Sequence, residues 1–191
     1  SLLAGKEGQA VAGGLVTLWD DPFDPVAPRA FDGEGTPCVK KAVVENGVLR
    51  TLLHNLKTAK KAGTQSTGNA SRRSAASAVG VAPTVFRLEA GEHSFDELVR
   101  QLGDGLIISE LEGLHAGVDE VSGDFSLKAS GVLVQGGAPV RPVSGITVAG
   151  NFVAMMKDVA AVGNDLRFGM PQGGWFGSPS ILVSGLAVAG N

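Results

Sequence analysis

The chain has 191 residues, a formal net charge of -3 and a charged fraction of only 18%. This balance offers no broad positive field for non-specific nucleic-acid binding, and no apolar run approaches the ~20 residues that span a bilayer. Glycine is abundant at 28 residues, tyrosine is absent, and the single cysteine, Cys38, rules out an intramolecular disulfide. Many glycines without a Gly-X-Y period favour strands and turns over a helical bundle. The start "SLLAGKEGQA" does not read as a signal peptide, because its apolar run is short and no basic segment precedes it.

In chain order, Leu15 to Trp19 of "GGLVTLWDDPFDP" reads as a strand stopped by Asp20, Asp21 and Pro22. "TPCVKKAVVENGVLRTLLHN" reads as two strands around Glu45-Asn46-Gly47, since Asn-Gly accepts the positive φ angles of a tight hairpin turn. Cys38 falls in the first arm. "NLKTAKKAG" predicts a short helix capped by Asn55, with lysines toward its C-terminal end and Gly63 as its stop. "TQSTGNASRRSAASAVGVAP" is small, polar and glycine-punctuated, which predicts an extended loop. "TVFRLEAG" reads as a strand, and "SFDELVRQLG" as a helix with a Ser94–Glu97 capping box and Gly103 at its end.

"GLIISELEG" reads as a strand whose continuous apolar start implies burial on both faces. "LEGLHAGVDEVSGDFSLKASG" then crowds His115, Asp119, Glu120, Ser122, Asp124 and Ser126 between glycines. "FSLKASGVLVQGG" and "APVRPVSGITVAG" read as strands joined by Gly-Gly. "NFVAMMKDVAAVGND" predicts the best helix, with Phe152, Met155, Met156, Val159 and Val162 on one face, Asn151 capping and Gly163 ending it. The tail "SPSILVSGLAVAGN" reads as one final strand. Its "LAVAGN" echoes the earlier "ITVAGN", and both are expected to be strand ends leading into turns. Hairpins dominate and βα alternation is weak. The expected fold is α+β over 1–191 as a single domain, with a mainly antiparallel, curved sheet and about three short helices.

Few residues stand at spacings that chemistry requires. No pair of His54, His93 and His115 falls at i, i+4, and no Cys-x-x-Cys exists, so each histidine is read as a surface or hydrogen-bonded residue. "GTQSTG" has one residue too many for a nucleophile elbow at Ser66. Cys38 is read as a small buried hydrophobe. Lys57, Lys60, Lys61, Arg72 and Arg73 are read as a solvated face, with anion binding as the alternative. Asn69-Ala70-Ser71 matches a glycosylation acceptor by chance. The acids of the 111–131 stretch suit acid–base work only if their pKa values are driven apart; otherwise Asp119, Ser122 and Asp124 serve turn backbones.

Several strings in order resemble the TldD/PmbA family. "FDGEGTPCVKKAVVENGVLRTLLHNLKTAKKAGTQSTGNA" resembles its hairpin, short helix and Ser-Thr-Gly-Asn loop. "LHAGVDEVSGDFSLKASGVLVQGGAPVRPVSGITVAGN" resembles its Val-x-Gly-Asp-Phe-Ser loop and following hairpin, and "VAAVGND" its helix ending. The resemblance runs from about Thr17 to Asn191 and implies the C-terminal domain of a two-domain subunit, whose N-terminal domain lies outside these residues. It implies a bacterial or archaeal cytoplasmic system that degrades or trims unfolded peptides. One subunit type, TldD, carries zinc on a His-Glu-x-x-x-His helix plus a cysteine near the C-terminus. The other, TldE or PmbA, lacks these ligands. No cysteine follows Cys38, and "GMPQGGWFGSPSILVSG" stands where the catalytic type has Cys-Gly-Lys.

The resemblance therefore implies a PmbA/TldE-type, non-catalytic domain with no cofactor of its own. Zinc is expected only in a TldD-like partner. Expected partners are that subunit or a second copy, and unfolded peptides, with neither nucleic acid nor membrane. No catalytic or metal residue is assigned. Thr67, Gly68, Asn69, His115, Asp119, Asp124 and Ser126 are the candidates for peptide or partner contact. The rival readings are a metallopeptidase with an unusual zinc ligand, such as His115, and a non-proteolytic regulator of gyrase.

Overall fold

The computed structural model describes residues 3–72 and 74–190. Its first strand, β1 (Leu18–Asp20), pairs with β2 (Lys41–Glu45), which turns into β3 (Val48–Leu49). The turn residues Asn46 and Gly47 have φ of 49° and 77°, both left-handed as the hairpin requires. Helix α1 (Leu56–Ala62) starts where Asn55 accepts from the Thr58 N–H while Thr58 Oγ1 accepts from the Asn55 N–H. Gly63, at φ 68°, closes it. These local signals were legible, and the structure agrees with them.

The segment expected as an extended loop carries a small ladder, β4 (Ala70–Ser71) against β5 (Gly80–Val81). Strand β6 (Val85–Leu88) and helix α2 (Phe95–Leu102) follow, the helix opened by the Ser94–Glu97 box. Then come three long strands, β7 (Gly105–Glu112), β8 (Asp124–Gln135) and β9 (Ala138–Asn151). Gly136 and Gly137 turn β8 into β9, both at positive φ. Helix α3 (Phe152–Lys157), β10 (Val159–Val162), β11 (Arg167–Phe168), β12 (Trp175–Ser178), β13 (Ile181–Val183) and β14 (Ala187–Ala189) complete the described chain.

Two sheets dominate. One runs β11-β12-β6-β1-β2-β3 and the other β14-β9-β8-β7, with β10–β13 and β4–β5 as pairs. Among the described residues every pairing between these strands is antiparallel except β12 with β6, and an isolated bridge between His93 and Gly163 is also parallel. Among the described residues three short helices accompany them, so the class is α+β and mainly antiparallel, as expected. The main core gathers Val16, Val43, Val44, Leu49, Leu88 and Met156 against the first sheet. A second gathers Ala129, Ile146 and Val148 on the β8–β9 ribbon. Among the described residues no helix is long and apolar enough to cross a membrane.

Four expectations need correction. Leu15 is exposed and lies before the strand, which begins at Leu18. The helix from Asn151 stops at Lys157, and Val159, Ala161 and Val162 pair with Val183, Leu182 and Ile181. The spacing of three and four that suggested a longer helix arises because a strand delivers Val159 and Val162 to the same core as Met156; two β-branched valines favour the pleated state. β7 is an edge strand, half-buried to Ile108 and exposed from Ser109 onward, so it is not covered on both faces. The tail forms two strands in different sheets, broken at Gly185 with φ 81°. The echoed words both lie at strand ends, the first leading into α3, and they pair with each other: β14 runs antiparallel to Thr147–Ala149.

Candidate functional site

A carboxylate with no access to water must be neutralised and hydrogen-bonded where it stands. Asp20, fully buried at the end of β1, meets that need with chain from three distant segments. Its Oδ2 accepts from Asn69 Nδ2 at 2.6 Å and from Lys41 Nζ at 3.0 Å, and its Oδ1 accepts from the Thr84 N–H at 2.7 Å. Asn69 Oδ1 accepts from Thr67 Oγ1 at 2.7 Å and from Lys41 Nζ at 3.2 Å, and Thr67 Oγ1 accepts from the His54 N–H at 2.7 Å. Between them Gly68 sits at φ 71°, where a Cβ would stand 2.6 Å from the Pro37 carbonyl oxygen. The structure thus brings Thr67, Gly68 and Asn69 together. Asn69 is only 1% exposed, so its amide is spent inside the protein and is closed to glycan attachment.

The 111–126 loop is built from turns. Gly113 accepts from the Ala116 and Gly117 N–H groups, and Ser126 donates its N–H to Gly117 at 2.8 Å. Asp119 Oδ1 accepts from the Val121 and Ser122 N–H groups at 2.7 and 3.1 Å. Asp124 Oδ1 accepts from Asn151 Nδ2 at 2.8 Å, while Asn151 Oδ1 caps α3 through Val153 and Ala154. One asparagine therefore fixes both the helix start and the loop. Asp119, Asp124 and Ser126 line one open groove of about 380 Å³; His115 is exposed and does not line it.

Both aspartates are shifted in the same direction. The Ser122 N–H, and then that of Val121, hold Asp119 below its ordinary value, and the Asn151 amide, and then the Ser122 hydroxyl, do the same for Asp124. Both are anions at neutral pH, which leaves neither as a proton donor. The sign of the linkage follows: a lowered folded-state pKa stabilises the loop above the unfolded value, and that stability is lost as pH falls through the folded value. Amide-exchange protection of Val121 and Ser122, corrected for intrinsic rates, is therefore expected to drop as pH falls below 3.8. Protection held down to about pH 2 would contradict this.

Zinc takes four ligands at about 2.0–2.3 Å, thiolate among them where cysteine serves. Here the Cys38 thiol is buried, donates to the Gly68 carbonyl at 3.3 Å, and has its pKa pushed up by burial, so it stays protonated. His54 Nδ1 lies 3.2 Å from Thr58 Oγ1, and His93 Nδ1 lies 3.3 Å from Gln101 Nε2. Among the described residues no three of His, Cys, Asp and Glu group to hold a metal. These residues do not fit a zinc site. Lys57, Lys60, Lys61 and Arg72 are exposed, and Arg73 lies outside the described residues.

The sequence did not reveal a cavity of about 410 Å³ between the loop at Ala27–Arg29, the residues before β6 and the glycine turn before β12. Arg29, Thr84 and Trp175 are among its lining residues. The only sequence signal was the Gly173-Gly174 turn preceding a tryptophan.

A family model described as the PmbA/TldA metallopeptidase C-terminal domain matches residues 1–190. Metalloprotease PmbA of Escherichia coli O157:H7 is 33% identical over 142 residues, covering 74% of this chain and 29% of that protein. A solved structure from Thermotoga maritima, described as a modulator of a DNA gyrase, shares 41% identity at a TM-score of 0.88, covering 99% of this chain and 42% of that one. TldE of Thermococcus kodakarensis shares 28% identity at a TM-score of 0.89, covering 98% of this chain and 42% of that one. The chain spans about a third of the length of the curated relatives it matches.

Proposed function

The chain belongs to the PmbA/TldA metallopeptidase family, as the C-terminal domain of its members, and from that premise we propose that it serves a non-catalytic subunit of a TldD/TldE-type zinc peptidase complex. Its part is to hold a TldD-like partner, or a second copy, and to wall the space that admits unfolded peptides in the cytoplasm. The observation that carries this reading is the state of the single thiol. The resemblance gives the catalytic type a zinc-binding cysteine near its C-terminus, and the one cysteine here lies far upstream, buried and protonated.

The likeness to TldE and to PmbA supports the same branch. The exposed second half of β7, with its outer edge unpaired in the sheet, offers backbone groups to an extended peptide whatever its side chains. The groove lined by Asp119, Asp124 and Ser126 borders that sheet and contributes to the wall. The test uses the full-length parent subunit, alone and with a TldD-like subunit, in a peptide-cleavage assay. Cleavage is expected only from the pair, and a chelator is expected to abolish it. Chelator-sensitive cleavage by the parent alone sinks the reading, and so does capture of gyrase without any peptidase subunit.

A further inference from the structure

A cavity whose side-chain donors lack partners favours a ligand that brings acceptors to them. Three such donors line the 410 Å³ cavity beside β6 and β12. Arg29 spends Nε on the Phe31 carbonyl and Nη2 on the Ala70 carbonyl, both at 2.9 Å, which fixes its guanidinium in place. Its Nη1 has no partner, and no carboxylate pairs with it, among the described residues. Thr84 is only 7% exposed, yet its hydroxyl has no hydrogen-bond partner among the described residues, although its N–H and C=O are used by Asp20 and Trp175. The Trp175 indole N–H is likewise unpartnered among them. Pro28, Pro83 and Pro171 supply an apolar wall that has no N–H to donate.

A half-buried guanidinium without an ion-pair partner among the described residues, lining the same cavity as a hydroxyl and an indole N–H that also lack partners, suits a carboxylate; the prolines and the indole ring suit an apolar side chain next to it. We propose that this cavity binds the C-terminal carboxylate of a peptide ending in an apolar residue. The parallel pairing of Trp175 with Val85 brings Trp175 and Thr84 to one cavity, with the Trp175 backbone N–H donating to the Thr84 carbonyl at 3.0 Å. The inference deepens the peptide-handling reading and rests on it. It concerns binding by this chain alone, whereas the subunit reading is tested by cleavage from the pair, so either fails without the other.

The test is a titration of this chain followed by NMR at the Trp175 indole N–H, assigned with Trp175→Phe. The probes are acetyl-Ala-Ala-Leu with a free carboxylate, its amide, acetyl-Ala-Glu-Leu amide and inorganic phosphate. The free acid is expected to shift the Trp175 signal saturably and to bind roughly tenfold more tightly than its amide. Arg29→Gln is expected to abolish binding, but it also removes the contacts to Phe31 and Ala70. Thr84→Val, which keeps shape and backbone bonds, is therefore the decisive variant and is expected to weaken the acid roughly tenfold with unchanged circular dichroism. Equal binding of acid and amide, equal binding of the glutamate peptide or of phosphate, or no saturable shift at millimolar peptide would each overturn the proposal.

Discussion

Replacing Asp20 with alanine is expected to destabilise the fold by about 3–5 kcal/mol, the cost of stranding a buried partner charge. Asp20 takes hydrogen bonds from Asn69, Lys41 and Thr84, so its loss strands the Thr84 N–H and leaves the Asn69 amide with only the Ala82 carbonyl as acceptor. The Lys41 ammonium, whose side chain is 13% exposed, would have only Asn69 left to accept from it. Domains are stable by only about 5–15 kcal/mol, so this single change removes a large share. For a chain of this size the melting temperature should fall on the order of 10 °C. Urea denaturation of the two proteins measures it. Adding Lys41→Met to Asp20→Ala should recover part of the loss, because the stranded charge leaves with its partner. A loss within about 1 kcal/mol for Asp20→Ala would show that water reaches the network.

Gly131→Ala is the second large effect. Gly131 is buried in β8, opposite the place where the β7 register shifts between Ile108 and Glu110. A Cβ there would collide with the Ile107 carbonyl oxygen and stand 2.9 Å from its carbon. Backbone cannot rotate away as a side chain can, so the two strands must part. The expected cost is about 1–3 kcal/mol, concentrated on β7. Hydrogen exchange should show β7 amides losing protection while β1–β3 keep theirs. An even loss over the whole chain would mean that β7 and the first sheet open together.

What was legible in the sequence was local. Asn46-Gly47, the Asn55 cap, the Ser94–Glu97 box and Gly136-Gly137 each act over a few residues, and each stands where its chemistry predicts. What escaped was long-range. Asp20 read as a residue that stops a strand, whereas its partners Lys41, Asn69 and Thr84 lie 21, 49 and 64 residues away. No pattern within one segment announces such a meeting. The over-long helix failed for a related reason: apolar spacing records which residues reach the core and not which backbone carries them, so a helix followed at once by a strand imitates one continuous helix. Of the candidate site, the sequence located the loop that holds Asp119, Asp124 and Ser126, but Asn151, which anchors it, had been credited with the helix cap alone. The donors around Thr84 and Trp175 were invisible because a parallel pairing between remote strands creates their neighbourhood.

That pairing also sets the tempo of folding. β1, β2 and β3 can zip together from neighbouring sequence, but β6 receives its second neighbour only from β12. Two helices, the long β8–β9 ribbon and its turn must all form or be threaded past before that contact is made. Loop closure of this span carries its entropy cost before any reward, which slows the step relative to hairpin formation. Until β12 arrives, the flank of β6 with Val85 and Phe86 is an open template for other chains. The same delayed strand supplies Trp175, so a nascent chain acquires the cavity only as this late closure is completed.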